Sequence, residues 1–404
     1  MLKEFHSESE VDAIDEFLAN FDHHSTFYRN NYFNVINRLA DRGIAAVHST
    51  AWNDGFSIAT SYDMIRKIAD KPDKFTNLHG YRVVPRTAMP LLFPSDMDGT
   101  DHADLRKVLN PWFSPTKIAE YRQGVEDDIA MLLEGFKVKR TFDWATDFAQ
   151  PVTGRVTMRL LGLPQEEWSD YAIPIHNIAF CIGSMESRLE GGREFAKLVK
   201  DSVAKVASLP DAPGLIGHLS RSEINGKRIS VEDIERCVLN IIIGGLDTTQ
   251  ATFSCAAVYL GRNPDRQQEL RNHPDRIRDA TTEFLRVFAS APMTGRYNIE
   301  DVDIAGHQFR EGEATLLFWS AANFDPKCVE RPMEMSFTRS SARNITFAAG
   351  PHSCLGRHLS KMELEAMVRS LVQTDYTLIE EGVTAAEDLS AVLAYLHVPS
   401  RLID

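Results

Sequence analysis

Apolar residues with almost no charge fill one long segment in the second half of the chain. Between Arg236 and Arg262 the only charged residue is Asp247. Just before this segment, Ser230-Val-Glu-Asp233 has the pattern of a capping box, which opens a helix. A helix of about 30 residues measures roughly 45 Å, enough to cross a large domain. The pattern therefore predicts a central helix that is deeply buried.

Shorter periodic segments on both sides predict a mainly α protein with a smaller β-rich portion. The predicted elements are helices in 1–45, two short strands in 45–60 about the turn Asn53-Asp-Gly55, a helix at 62–70, a long loop at 76–99, several helices in 116–220, a hairpin turn at Asn225-Gly226, a helix from near Pro274, short strands in 292–319, and a β-rich tail from about 375 to 404. No linker, repeat or low-complexity tract divides the chain, so we expect a single domain over 1–404.

The middle of the central helix contradicts its own helical propensity. In Ile243-Gly-Gly-Leu-Asp-Thr-Thr249, the glycine pair costs about 1–2 kcal/mol of helix stability, and Asp and Thr are poor interior residues. Such local conflicts mark function or strain. One interpretation is a kink that lets another helix approach closely. The other is a bulge over a flat cofactor, with Gly244 and Gly245 making room for it.

A single cysteine lies in a loop with a glycine on each side of it, at the start of a later helical segment. Gly350 precedes Cys354 and Gly356 follows it, and Phe347 places an aromatic ring nearby. Free amides and the helix dipole favour a thiolate at such a position, and the glycines let a flat group lie against the backbone. The alternative is a small buried residue, the usual role of a free cysteine.

Two spaced pairs of polar residues offer further candidates. His102 and Arg106 are four apart and share one helical face, where they either hold an anion or form part of a solvated surface. Glu283 and Arg286 are three apart, a spacing that is common for ion pairs on helix surfaces.

Composition narrows the classes of protein. The chain has 404 residues, 43% hydrophobic and 25% charged, and its net charge of −13 argues against nucleic acid as a partner. The charged start of the chain has no apolar core, so we expect neither a signal peptide nor a membrane anchor. Five scattered cysteines, including Cys181, form no disulfide framework and indicate a cytoplasmic protein.

The loop pattern Phe-x-x-Gly-x-x-x-Cys-x-Gly, complete from Phe347 to Gly356, resembles the haem-thiolate signature of the cytochrome P450 superfamily. Gly-Gly-Leu-Asp-Thr resembles the acid–alcohol pair on the long helix of these enzymes, most closely in the bacterial camphor-hydroxylase branch. The resemblance extends over nearly the whole chain, because five elements occur in the family's order. These elements are His102/Arg106, Asp247-Thr248, Glu283/Arg286, Arg339 and the loop ending at Cys354.

The resemblance implies a triangular, mostly helical fold and a role for each matching residue. Cys354 would bind the iron of haem b, next to Gly244, Phe347, Gly350 and Gly356. Thr248 would donate a hydrogen bond to dioxygen, and Asp247 would supply protons. The propionate contacts would be His102, Arg106, Arg296 and His352, and Arg339 would join the pair Glu283/Arg286. Three residues depart from the usual pattern: Ala348 replaces Gly, Ser360 replaces Ala, and Asn344 replaces His.

The activity implied is insertion of one oxygen atom of O2 into a C–H bond, with two electrons from NAD(P)H. We expect a ferredoxin and its NAD(P)H-dependent reductase as partners. No Asp or Glu occurs from Met335 to Met362, so four cations there or nearby would form a docking patch, namely Lys107, Arg343, Arg357 and Lys361. A peroxide-driven peroxygenase, which would not need the acid–alcohol pair, and a non-enzymatic haem gas sensor or carrier are the alternatives. A cysteine hydrolase is remoter, because no partner base is indicated.

For the substrate we expect a compact, mostly apolar molecule with one polar group, most plausibly a terpenoid. Asn240, Ile243, Gly244, Asp247 and Thr248 share one face of the central helix. The resemblance adds the segments with Leu92 and Phe93, Met293, and Ala391-Val392. All of these added side chains are apolar, as in a desolvated site. Asn240 either bonds to a neighbouring backbone group or holds a hydroxyl or carbonyl of the substrate.

Overall fold

The computed structural model describes residues 8–52, 55–80, 91–180, 182–339, 343–389 and 392–403, and most of them are helical. The helices are α1 (Glu8–Ala19), α2 (Thr26–Asn30), α3 (Tyr32–Asp41), α4 (Tyr62–Ala69), α5 (Gly99–Leu109), α6 (Pro115–Ala119), α7 (Arg122–Lys139), α8 (Gln150–Leu161), α9 (Trp168–Ala179), α10 (Met185–Ala207), α11 (Gly214–Arg221), α12 (Val231–Arg262), α13 (Pro264–Asn272), α14 (Ile277–Val287), α15 (Trp319–Ala322) and α16 (Arg357–Gln373). The predicted Asn53-Asp54 turn residues, loop residues 81–90, Cys181 and Ala391 lie outside the described residues.

Short strands form one larger sheet and several small ones. They are β1 (Ala46–Ser49), β2 (Phe56–Ala59), β3 (Phe75–Thr76), β4 (Thr141–Asp143), β5 (Glu223–Ile224), β6 (Lys227–Arg228), β7 (Met293–Asn298), β8 (Val302–Ile304), β9 (His307–Phe309), β10 (Ala314–Phe318), β11 (Tyr376–Leu378), β12 (Thr384–Ala385), β13 (Tyr395–His397) and β14 (Pro399–Leu402). The larger sheet has the order β1-β2-β10-β7-β3, in which β2 and β10 are parallel and the other neighbours antiparallel.

The predicted central helix is α12, which runs for 32 residues. Its first turn is closed by Ser230, whose hydroxyl accepts a hydrogen bond from the amide of Asp233. The helix packs against α8, α9, α10 and α16, so its apolar length lies in the core. The expected bulge does not interrupt it, because the backbone is α-helical through 243–249.

The two glycines of α12 have different surroundings. A Cβ atom on Gly245 would lie 2.9 Å from the hydroxyl oxygen of Thr157, so glycine is needed there because α8 approaches closely. A Cβ atom on Gly244 would meet no described atom within 4 Å. The close-approach interpretation therefore holds for Gly245, whereas Gly244 is exposed and faces open space.

A buried ion network fixes the segment that leads into the cysteine loop. The fully buried guanidinium of Arg286 donates to both carboxylate oxygens of Glu283 at 2.8 Å, and to the carbonyl oxygens of Asn323 and Pro332. Arg339 donates from Nε to the same carboxylate at 3.3 Å. Removing one partner of such a network typically costs about 3–5 kcal/mol, because a buried charge is left unpaired.

The larger sheet and the helices share a continuous apolar core that surrounds α12. Strand β7 carries Arg296 into this core, where its side chain is 4% exposed. Within the described ranges, no helix has both the length and the apolar composition needed to cross a membrane.

Candidate cofactor and active site

The cysteine loop is closed by a backbone hydrogen bond and shaped by two residues with positive φ. The amide of Cys354 donates to the carbonyl oxygen of Phe347 at 2.8 Å. Gly350 has φ +68°, and a Cβ atom there would lie 2.3 Å from the carbonyl oxygen of Ala69, so only glycine fits. Ala348, which stands where the resembled family usually has glycine, has φ +59°. This left-handed conformation costs an alanine about 1 kcal/mol or more.

Burial raises the pKa of the Cys354 thiol. The amides of Gly356 and Arg357 and the charges of Arg106 and Arg357 act in the opposite direction without overcoming burial. The amides at the helix start favour the thiolate, as expected, but burial outweighs them for the unliganded side chain. A coordinated metal cation deprotonates a thiol outright, so the donor suits a metal site better than a free nucleophile.

Four cationic or proton-donating side chains come together beside this loop, from α5, β7 and the turn before Cys354. The rings of His102 and His352 lie 4.2 Å apart, centroid to centroid. Arg106 and Arg296 have no ion-pair partner among the described residues, and burial lowers the pKa of both guanidinium groups. Burial also lowers the pKa of His102 to about 4, and its Nε2 is a buried atom with no hydrogen-bond partner in the described chain. Arg106, Arg296 and Nε2 of His102 are therefore available to bind an anion.

Asp98 orients one member of this group and was missed by sequence reasoning. Its Oδ1 accepts a hydrogen bond from Nε2 of His352 at 3.0 Å, and its Oδ2 accepts from the hydroxyl of Thr76 and the amide of Asn77. Burial alone raises the pKa of Asp98, but the bonds from His352, Thr76 and Asn77 together lower it. No local pattern announces this role, since the two partners are 254 residues apart.

The residues around the cysteine loop fit a haem group. The buried Arg296, the half-buried Arg106 and two imidazoles match two carboxylates, because a cation removed from water without a partner is costly and an anion removes that cost. The open space at Gly244 and at Gly356, where a Cβ atom would meet only the sulfur of Cys354 at 4.0 Å, suits a flat ring. Cys354 supplies a sulfur ligand of the kind that binds haem iron.

The acid and the alcohol of α12 point in different directions. The hydroxyl of Thr248 donates to the carbonyl oxygen of Gly244 at 2.6 Å and keeps some exposure beside the open space. Asp247 is buried, and its Oδ1 lies 3.2 Å from Nδ1 of His176 on α9 and 3.3 Å from Nε2 of Gln250. Sequence reasoning missed His176 and Gln250, which no pattern had marked.

The expected substrate-lining residues belong to one hydrophobic core, but Asn240 is occupied. Leu92, Met293 and Val392 are buried, and Phe93 and Ile243 are partly buried against the same core. The side-chain amide of Asn240 donates to the carbonyl oxygen of Phe93 and to the hydroxyl of Ser95, both at 3.0 Å, and its oxygen accepts from Ser95 at 3.2 Å. These bonds correspond to the first of the two alternatives for Asn240.

The basic residues near the cysteine loop are exposed. Lys107 also pairs with Asp104 at 2.7 Å, and Lys361 lies 5.6 Å from the ring centre of Phe347. Burial lowers the pKa of Lys361, and the charges of Arg278 and Arg357 lower it further. Arg278 therefore adds to the patch predicted from Lys107, Arg343, Arg357 and Lys361.

The two other departures from the family pattern make specific contacts. The hydroxyl of Thr249 on α12 donates to Ser360 on α16 at 3.0 Å, so the extra hydroxyl of Ser360 joins the two helices. Glu363 lies one turn further along α16, and burial raises its pKa well above the ordinary value. A hydrogen bond with Thr249 has the opposite but smaller effect on this pKa. Asn344 accepts a hydrogen bond from the amide of Thr346 at 2.8 Å.

Comparison with known proteins places these features in a family. The sequence profile described as Cytochrome P450 matches residues 214–381. The Polyketide biosynthesis cytochrome P450 PksS of Bacillus subtilis (strain 168) is 28% identical over 284 residues, covering 68% of both chains. The Steroid C26-monooxygenase of Mycobacterium tuberculosis (strain CDC 1551 / Oshkosh) is 25% identical over 326 residues, covering 79% of this chain and 87% of that protein. The crystal structure of CalO2 shares the fold, with a TM-score of 0.84 at 20% identity over 95% of this chain and 99% of that one.

Proposed function

We propose that this chain, a haem b monooxygenase of the cytochrome P450 superfamily, hydroxylates a compact, mostly apolar molecule with electrons from a ferredoxin. The observation that carries the site assignment is a pair of guanidinium groups, the buried Arg296 and the half-buried Arg106, without ion-pair partners in the described residues. They lie with His102 and His352 beside the loop of Cys354, and this donor set is what the two propionates of a haem require.

In this proposal Cys354 is the iron ligand, and the loop backbone holds its sulfur in place. Gly350 is required by the close approach of Ala69, and the bond from the Cys354 amide to Phe347 closes the loop. When bound, the haem would supply the oxidising chemistry, which a thiolate ligand promotes by donating electron density. The remaining residues bind, orient, exclude water and move protons.

Proton supply is assigned to Asp247 and Thr248. The hydroxyl of Thr248 lies at the edge of the open space beside Gly244, where it can donate a hydrogen bond into the pocket. Asp247, the preceding residue, is a buried carboxylate that can accept a proton and pass it on. Because the two side chains are not bonded to each other, a proton reaches Thr248 through a rotation of the carboxylate or through water.

For the substrate class the support is the apolar character of the lining residues. Leu92, Met293 and Val392 are buried in the same core as Ile243 and Phe93. Two relatives are named for polyketide biosynthesis and for a steroid. We favour a terpenoid with one polar group. Given its internal bonds, Asn240 acts by holding the segment with Phe93 in place rather than by binding the substrate directly.

For the electron donor the support is local charge. The whole chain carries −13, yet Arg343, Arg357 and Lys361 are exposed on the cysteine side together with Arg278. A small acidic ferredoxin fits this surface, because complementary charge speeds encounter and weakens with salt.

The proposal is tested by spectroscopy followed by turnover. Reduced protein under carbon monoxide should show the red-shifted Soret band of a thiolate-ligated haem, and Cys354→Ala should lose it; a histidine-type spectrum in the untreated parent would contradict the assignment of Cys354. Terpenoids, steroids, fatty acids and aromatics are then screened through the Soret band, and the best binder is incubated with NADPH, ferredoxin and reductase.

Hydroxylated product under these conditions supports the monooxygenase with a ferredoxin donor. Product with hydrogen peroxide but none with the redox proteins would instead indicate a peroxygenase. Ligand and gas binding without product under either condition would indicate a sensor or carrier. A long-chain fatty acid as the best binder would contradict the compact pocket.

A further inference from the structure

His176 sits among three polar side chains at the contact of α9 with α8 and α12. Its Nδ1 lies 3.2 Å from Oδ1 of Asp247 and 3.2 Å from Nε2 of Gln250, and its Nε2 lies 3.3 Å from Nε2 of Gln150. The side chains of His176 and Asp247 are 13% and 5% exposed. The rest of the inward face of α9 is apolar or aromatic, so this polar group is an exception that requires a reason.

The hydrogen-bonding capacities of these groups fix the arrangement. A carboxylate accepts only, and an amide nitrogen donates only, so His176 must donate from Nδ1 to reach Asp247. Gln250 then donates to the same Oδ1 at 3.3 Å. Two donors therefore converge on one oxygen of Asp247 and turn that side of the carboxylate toward α9. Thr248, the adjacent residue, bonds within its own helix instead.

We propose that His176 is a positioning residue that holds the carboxylate of Asp247 toward α9 and so controls how readily Asp247 supplies protons on the Thr248 side. The inference rests on the proposed role of Asp247 in proton supply. The inference adds that the proton supply from Asp247 depends on His176, which lies 71 residues earlier in the chain. Among the described residues, α9 contributes no other side chain to this chemistry. A shift of α9 relative to α12 would then change proton supply.

The test compares two replacements of His176 in the haem-loaded full chain. His176→Phe keeps a ring that can pack on Phe180, which lies 4.5 Å away, but removes the donor. His176→Asn places an amide nitrogen near the position of Nδ1 and retains it. Tyr171→Phe is the matched control, because it removes another polar tie of α9, the 2.7 Å bond to Ser202, without touching Asp247.

The first measurement is the share of electrons from NADPH that appears in product rather than in peroxide. His176→Phe should lower the rate of product formation about tenfold and raise the solvent isotope effect, since a hydrogen bond to a charged group is lost. His176→Asn and Tyr171→Phe should stay within about twofold of the parent. The inference is wrong if His176→Asn is as impaired as His176→Phe, or if His176→Phe matches the parent.

The second measurement needs no turnover: hydrogen exchange of backbone amides in 168–179 and 244–250. His176→Phe removes the donor of this bond and Asp247→Asn removes the charge of its acceptor, so both should speed exchange in the two segments. Tyr171→Phe should affect only α9. Unchanged exchange at 244–250 in His176→Phe would overturn the inference. If Asp247→Asn alters exchange but leaves product formation intact, the proton role proposed for Asp247 is wrong. If Asp247→Asn impairs product formation while His176→Phe does not, Asp247 keeps its proton role and the positioning role of His176 is wrong.

Discussion

The amide of Cys354 donates a hydrogen bond to the carbonyl oxygen of Phe347 at 2.8 Å, and the chain between them turns back on itself. Two residues in this turn have left-handed backbone angles, Ala348 at φ +59° and Gly350 at φ +68°. Glycine adopts this conformation without steric cost, whereas alanine does not. The loop that presents the sulfur is therefore built with strain at Ala348.

Ala348→Gly should raise the free energy of unfolding by about 0.5–1 kcal/mol. Glycine relieves the strain of the left-handed conformation in the folded state, and this gain exceeds the entropic cost of ordering a more flexible residue. Urea unfolding of the haem-loaded protein measures the effect. The neighbouring Ala349 has φ −143°, so Ala349→Gly is the control and should lower the free energy of unfolding by a similar amount. Equal destabilisation by both replacements would show that Ala348 carries no strain.

Thr248→Ala should keep haem and substrate binding but divert electrons to peroxide, raising the peroxide yield several-fold. The hydroxyl that can donate a hydrogen bond into the pocket is lost, and a positioned proton donor of this kind typically contributes 10²-fold or more, roughly, to a rate. Peroxide and product are measured per NADPH consumed. Thr252→Ala is the matched control, because that hydroxyl lies on the same helix but bonds to the carbonyl oxygen of Phe288. Parent-like coupling in Thr248→Ala would refute the role.

Reversing Arg357 and Lys361 to Glu should slow haem reduction by an acidic ferredoxin about tenfold at low salt, since attraction between the two surfaces becomes repulsion. Stopped-flow reduction at several salt concentrations gives the rates, and the parent alone should slow as salt rises. The control reverses Lys200 and Lys205 on α10, a helix that packs on α9 and α12. Equal rates in the parent and the Arg357/Lys361 variant, without salt dependence, would exclude the patch.

Asn240→Leu should weaken substrate binding or scatter the position of oxidation, with normal haem content, because it releases the segment with Phe93 and Ser95. Ser95→Ala removes one partner of the same anchor without altering Asn240, and should produce a smaller shift in the same direction. Product distribution and the ligand-induced Soret change are the measurements. If Ser95→Ala leaves both unchanged while Asn240→Leu does not, Asn240 contacts the substrate directly.

Glu363→Gln should remove a pH dependence from the stability of the protein. Burial raises the pKa of Glu363 well above its ordinary 4.5, so above about pH 4.5 the folded chain retains a proton that the unfolded chain releases. That contribution to stability is complete at low pH and declines as pH rises, by at most about 1.4 kcal/mol per unit. Urea unfolding at pH 5 and pH 7.5 should show that the free energy of unfolding of the variant, relative to that of the parent, increases as pH rises. Parallel changes in both proteins would contradict this.

The sequence by itself determined the parts of this protein that depend on local spacing. The uncharged run from Arg236 to Arg262 and the cap at Ser230 defined α12, because burial and helix initiation depend on neighbours within a few turns. The glycine, cysteine and aromatic spacing of 347–356 determined the loop in the same way. The Glu283–Arg286 pair follows from a separation of three residues, and Arg339, expected from the family resemblance, joins it in the structure.

Tertiary structure alone decided which partners meet across the chain. Gly244 and Gly245 are alike in sequence, yet one borders open space and the other receives α8, because only packing determines what faces each side of a helix. Asp98 meets His352 across 254 residues, and Asn240 meets the carbonyl of Phe93 across 147. Burial also outweighs the helix-start amides at the Cys354 thiol, since desolvation depends on every atom packed around a group and not only on its position at a helix start.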